Sequence, residues 1–101
     1  MVGKPMKEIS PFDLHAHGGG GFVTFEVNDA VALPLLALAK ATLRSSGARQ
    51  IVILEFDGQM VTIEGAGLLG LFDHLLAGRI KAVRTGHYEE CVVDRLHLAE
   101  T

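Results

Sequence analysis

Tryptophan is absent from this sequence, and cysteine and tyrosine occur once each, as Cys91 and Tyr88. A single cysteine excludes an internal disulfide and any cluster of thiolate ligands within one chain, and it fits a reducing compartment. Charge is scarce too. Charged residues make up 21%, nine basic against twelve acidic, for a formal net charge of -3. Such a balance exerts no general pull on nucleic acid or on an anionic membrane, which argues against either as a partner. The longest apolar run, "AVALPLLALA" from Ala30 to Ala39, is about half of the ~20 residues that a bilayer crossing needs. The opening "MVGKPMKEISPF" lacks the continuous apolar centre of a secretory signal. The expectation is a soluble, cytoplasmic protein.

What is present is apolar and small. Hydrophobic residues make up 49% of 101 residues, a globular composition with room for one core. Small bodies have much surface per residue, so spare apolar area tends to end in a subunit interface. A homo-oligomer is therefore expected. Two of the three prolines and five of the twelve glycines fall within the first 21 residues. Residues 1–21 read as a loose glycine-rich arm with a short ordered piece around Phe12 and Leu14, and residues 22–101 as a single domain.

Within that domain, "FVTFEV" from Phe22 reads as a strand. "NDAVALPLLALAKATLRSSG" reads as a largely buried helix capped by Asn28 or Asp29 and stopped at Gly47, with Pro34 as an awkward interior residue. "RQIVILEFDGQMVTIEG" reads as a hairpin turning at Asp57-Gly58, a pair suited to a type I′ turn. "GLLGLFDHLLAG" reads as a second helix, apolar at Leu68, Leu69, Leu71, Phe72, Leu75 and Leu76, with Asp73 and His74 outward. "RIKAVRTG" and "CVVDRLHLAE" complete the pattern as strands separated by a turn at "TGHY". The order β-α-β-β-α-β plus a C-terminal strand predicts an α+β fold, ferredoxin-like, with two helices on one face of an antiparallel sheet.

Three short motifs look like chemistry. Asp13-Leu14-His15-Ala16-His17 resembles the H-x-H that opens the metal-binding barrels of amidohydrolases and related phosphoesterases. Alternate residues of a strand share a face, so His15 and His17 would grip one ion, zinc or another divalent metal. Those enzymes are large barrels with ligands from several strand ends, and two imidazoles leave zinc short of its three or four protein ligands. "HGGGGF" resembles the HGGG oxyanion loop of lipases and esterases. That chemistry requires a G-x-S-x-G elbow, and none occurs.

Gly65-Ala66-Gly67-Leu68-Leu69-Gly70 resembles the G-x-G-x-x-G fingerprint. It follows a strand and opens a helix, where Gly65, Gly67 and Gly70 would admit a phosphate to the helix N-terminus, with Glu89 or Glu90 near a ribose. Against a nucleotide stands the hairpin at Asp57-Gly58, which makes the neighbouring strand antiparallel where the motif requires a parallel one. The plainer role for these glycines is a tight turn and close packing.

Other reactive residues do not converge. Arg79, Lys81, Arg84 and Arg95 form at most a local basic patch without the exposed aromatics that stack on RNA bases. Cys91 and His97 share a strand face but lie six residues apart. The reading is a small non-catalytic oligomerising domain, structural, regulatory or small-ligand-binding. The alternative is metal binding at His15 and His17, or phosphate or nucleotide binding at the Gly65–Gly70 turn.

Overall fold

The computed structural model describes residues 9–16 and 21–101. Among these, nine strands and one α-helix form two sheets around a shared core. The first sheet holds β1 (Phe12–Leu14), β2 (Phe22–Glu26), β3 (Ala30–Pro34) and β7 (Ile80–Arg84), in the order β1-β7-β2-β3. The second holds β4 (Leu38–Ser46), β5 (Arg49–Phe56), β6 (Gln59–Ala66), β8 (Gly86–Tyr88) and β9 (Cys91–Glu100), in the order β4-β5-β6-β9-β8. All neighbours are antiparallel except β2 and β7, which run parallel. The helix α1 (Leu69–Leu76) carries the chain from β6 of the second sheet to β7 of the first. No helix of the described residues is long and apolar enough to cross a membrane.

This corrects the ferredoxin-like α+β expectation, because the first of its two helices does not exist. Residues 30–46 form β3, a single 3-10 turn at Leu35–Ala37, and β4. Pro34 is the physical reason. It has no N–H to give a helix, and its ring would collide with the carbonyl of Ala30 there. In extended form the segment alternates instead: Ala30 and Ala32 face solvent, while Leu33, Ala41 and Leu43 pack against the core. Gly47, read as a helix stop, turns the β4–β5 hairpin at φ +61°. "TGHY", read as a turn, contributes β8.

The expected hairpin is present as β5–β6, with Phe56 opposite Gln59. Gly58 takes φ +79°, but Asp57 does not join it at positive φ, so the turn is not type I′. Alternation then sorts the side chains. Val52, Leu54 and Phe56 of β5 and Val61 and Ile63 of β6 point inward, as period-two strands with one covered face require. From the opposite sheet come Val23, Phe25, Ile80 and Val83. Phe25 and Phe56 meet edge to face across the core at 6.0 Å, a favoured aromatic geometry. Leu68, Leu71 and Leu75 drive α1 into the same cluster.

The flanks of the two sheets are also tied together. On one side the backbone around β1 runs along β7 and reaches β8. Arg84 N–H donates to the Pro11 carbonyl, and His87 N–H donates to the Ile9 carbonyl, both at 2.8 Å. On the other side the chain itself passes from β3 through the 3-10 turn to β4. There Leu35 N–H donates to Gly21 and Asp57 N–H to Ala37.

Candidate functional site

A cleft of about 450 Å³ opens where β1, the start of α1 and the β8–β9 turn meet. Pro11, Phe12 and Leu14 form one wall, Gly67 and Gly70 the floor, and Tyr88, Glu89, Glu90 and Cys91 the other wall. The turn that builds this second wall is held in a defined shape. Glu89 sits at φ 54°, the only non-glycine at positive φ among the described residues, and such backbone must be held by its surroundings. One restraint is local: the His87 ring Nε2 lies 3.0 Å from the Glu89 carbonyl oxygen. The other is Gly67, at φ +63°, against whose α-carbon the Glu90 carbonyl packs so closely that a Cβ would sit 2.8 Å from its carbon.

The glycine fingerprint is thereby explained as packing. A Cβ on Gly65 would lie 2.7 Å from the Val92 carbonyl carbon, so Gly65 and Gly67 admit β9 and its turn to the end of β6, where the register shifts. Gly70 has open space around it. Leu68 N–H, at the helix start, already donates to Gln50 Oε1 at 2.6 Å.

The β1 side of the cleft offers few free donors. Pro11 has no N–H. The Ser10 hydroxyl donates to the Phe12 carbonyl at 2.7 Å and is used. Burial pushes the Cys91 thiol above its usual range, so the neutral thiol, a poor nucleophile, predominates at neutral pH.

The two histidines of the first motif fare differently. His17 lies outside the described residues. His15 follows β1, where its N–H donates to the Arg79 carbonyl at 2.8 Å, and Arg79 N–H donates to the His74 carbonyl at 2.9 Å. His15 and His74 therefore belong to one corner, with the Phe12 and His74 rings 5.9 Å apart. His15 Nε2 and His74 Nδ1 are buried without a hydrogen-bond partner among the described residues. No group of three or more His, Cys, Asp or Glu suited to a metal ion occurs among those residues. Sequence reasoning placed His74 outward; the short helix turns it half inward instead.

The basic residues divide between the sheets, with Lys81 and Arg84 on β7 of the first and Arg95 on β9 of the second. Arg84 is bound by carboxylates from both neighbouring strands: Nη2 donates to Asp13 Oδ2 at 2.6 Å, and Nε and Nη2 donate to Glu26 at 3.1 Å. Nη1 reaches the Ser10 carbonyl at 3.0 Å. This node fixes β1 and β2 on either side of β7. The guanidinium holds the Asp13 carboxyl below the ordinary carboxylate range, and the two acids push Arg84 up. A depressed acid stabilises the fold above its unfolded pKa and loses that contribution as pH falls through its folded value. Arg84→Gln is expected to cost about 1 kcal/mol at pH 7, a figure discounted for half-exposed carboxylates. Urea titrations of both proteins should show that difference shrinking as pH falls below about 4 and Asp13 protonates.

The sheet edges differ in how they are guarded. β1 carries Asp13 and a bulge. β4 carries Lys40 and Arg44 and a shifted register. β8 is three residues long and is covered at His87 by Ile9. β3, "AVALP", has no charge and no bulge, and it pairs with β2 in regular register over all five residues. Next to it Leu36 is fully exposed, and Phe22 and Val27 are about half exposed. Charges and bulges are the usual protection of a free edge; β3 has neither, and its one guard is its last residue, Pro34. The absence of charge in "AVALP" was available in the sequence, but its position at an edge was not.

Compared with known proteins, the chain matches no family model, no curated protein and no solved structure.

Proposed function

We propose that this chain is a non-catalytic module that works by self-association, two copies joining antiparallel along β3 into one continuous sheet. The observation that carries the reading is the β3 edge, which has neither charge nor bulge and only Pro34 at its end as a guard. A two-fold axis through Ala32 would set Val31 opposite Leu33 of the partner subunit and Ala30 opposite Pro34 of the partner subunit. The same register brings Leu36 level with Asn28 of the partner subunit, beside its Val27. Two apolar side chains that are exposed in the single chain then cover one another, twice per dimer. Such edge pairing lies at the small end of stable interfaces, so the dimer forms at about micromolar concentration. A cytoplasmic location accords with this reading, where Cys91 stays reduced.

Ala32 gives the test, because it is exposed and would face its own copy across the axis. Sedimentation velocity over a concentration series should show a dimer for the native chain. Ala32→Lys and Ala32→Glu should each weaken it at least about tenfold, since like charges directly opposite repel. Mixing the two variants should restore the dimer, whereas Ala99→Lys, on another exposed strand position, should leave it intact. A native chain that stays monomeric up to about millimolar concentration, or variants that dimerise as well as it does, would sink the proposal.

A further inference from the structure

We infer that the cleft between β1, α1 and the β8–β9 turn is a binding site for a small amphipathic amine, an apolar body bearing one protonated nitrogen. The walls set the body of the ligand. Phe12, Leu14 and Tyr88 supply apolar and aromatic surface along a volume of about 450 Å³, within the usual size of a small-molecule pocket. Leu14 and Tyr88 are each about half exposed in the free chain, surface that an apolar ligand would cover.

The rim sets the charge. Glu89 and Glu90 line the cleft, and among the described residues no Lys or Arg forms a salt bridge with either. Every other carboxylate contact of the described residues with a cation is made elsewhere, at Arg49 or Arg84. Two donors beside the cleft are already engaged, Leu68 N–H on Gln50 and the Ser10 hydroxyl on Phe12. A cation near the faces of Phe12 and Tyr88 gains further from their ring quadrupoles. The site is built in advance, since the Glu89 turn is fixed by His87 on one side and by Gly67 on the other. A preformed wall lowers the ordering cost of binding.

The sequence supplies the reporters. Tyr88 is the only tyrosine, there is no tryptophan, and Cys91 is the only cysteine, so intrinsic emission and thiol alkylation both read this cleft alone. The probes are 2-cyclohexylethylamine and 3-cyclohexylpropionate, which share a non-absorbing body and differ in charge. The amine should change Tyr88 emission saturably and slow the alkylation of Cys91 by iodoacetamide. The carboxylate should bind at least about tenfold more weakly, and the double variant Glu89→Gln/Glu90→Gln should weaken the amine by about the same factor. Thermal unfolding of the double variant checks that its fold is kept, which exposed carboxylates allow. Equal binding of both probes, saturation by neither up to about 10 mM, or undiminished amine binding by the double variant each overturns the assignment.

Discussion

Gly65→Ala should remove most of the stability of this domain. The added methyl would meet the Val92 carbonyl, with its carbon only 2.7 Å away and the Val93 α-carbon at 3.2 Å. Both obstacles are backbone in β9, which is paired along its length with β6, so no side chain can swing aside to make room. Relief requires the β6–β9 ladder to part at its bulge. The expected loss is about 3–5 kcal/mol, at the upper end for a single substitution. Against a total of about 5–15 kcal/mol for a typical domain, that is a large fraction. Gly70→Ala is the contrast. It sits within α1 with nothing near its Cβ, and it should gain about 0.5–1 kcal/mol from helix propensity. Urea unfolding of the two variants gives the comparison, a large loss at Gly65 beside a small gain at Gly70.

Leu71→Ala is the second large effect. Leu71 is fully buried and lies on the helix that joins the two sheets, next to Leu68 and Leu75 in the core. Truncation removes three carbons from a site bounded by residues of both layers, so the walls cannot all collapse inward. Substitutions of this kind cost about 2–5 kcal/mol. The position on a short helix places the loss toward the upper half, because α1 has few buried residues to hold it once Leu71 is gone. Leu76→Ala, one turn on and about half exposed, should cost less than about 1 kcal/mol. A thermal melt of both variants gives the comparison directly.

The β5–β6 hairpin was legible because two signals agree there: Asp57-Gly58 marks the turn, and Val61 and Ile63 alternate with polar neighbours. α1 was legible from its 3.6-residue period and its stop at Gly78, which takes φ +74°. Residues 30–46 were not. Alanine and leucine fill that segment so densely that helical and extended spacings both place apolar side chains inward, and only Pro34 distinguishes them. The glycine motif was legible as a tight turn but not in its purpose, because the carbonyls it accommodates belong to Glu90 and Val92 on another strand. Arg84 was invisible as a structural node for the same reason. Its partners Asp13 and Glu26 lie 71 and 58 residues away in sequence, and nothing local announces them. The cleft likewise assembles three distant segments.

The placement of β1 and β2 against β7 also dictates the order in which this chain completes itself. β4, β5 and β6 form ladders between sequence neighbours, and contacts of that kind close early. β1 has no such option, since Phe12 pairs with Val83, and β2, which pairs at once with β3, must still wait for β7 on its other side. During synthesis at about 5–20 residues per second, β1 waits several seconds for its partner β7 to be made. β1 is thus made well before the strand it pairs with, and the seam it closes carries one wall of the cleft. A cleft made this way takes shape only once distant segments have met, so a chain that has not yet paired β1 with β7 lacks it.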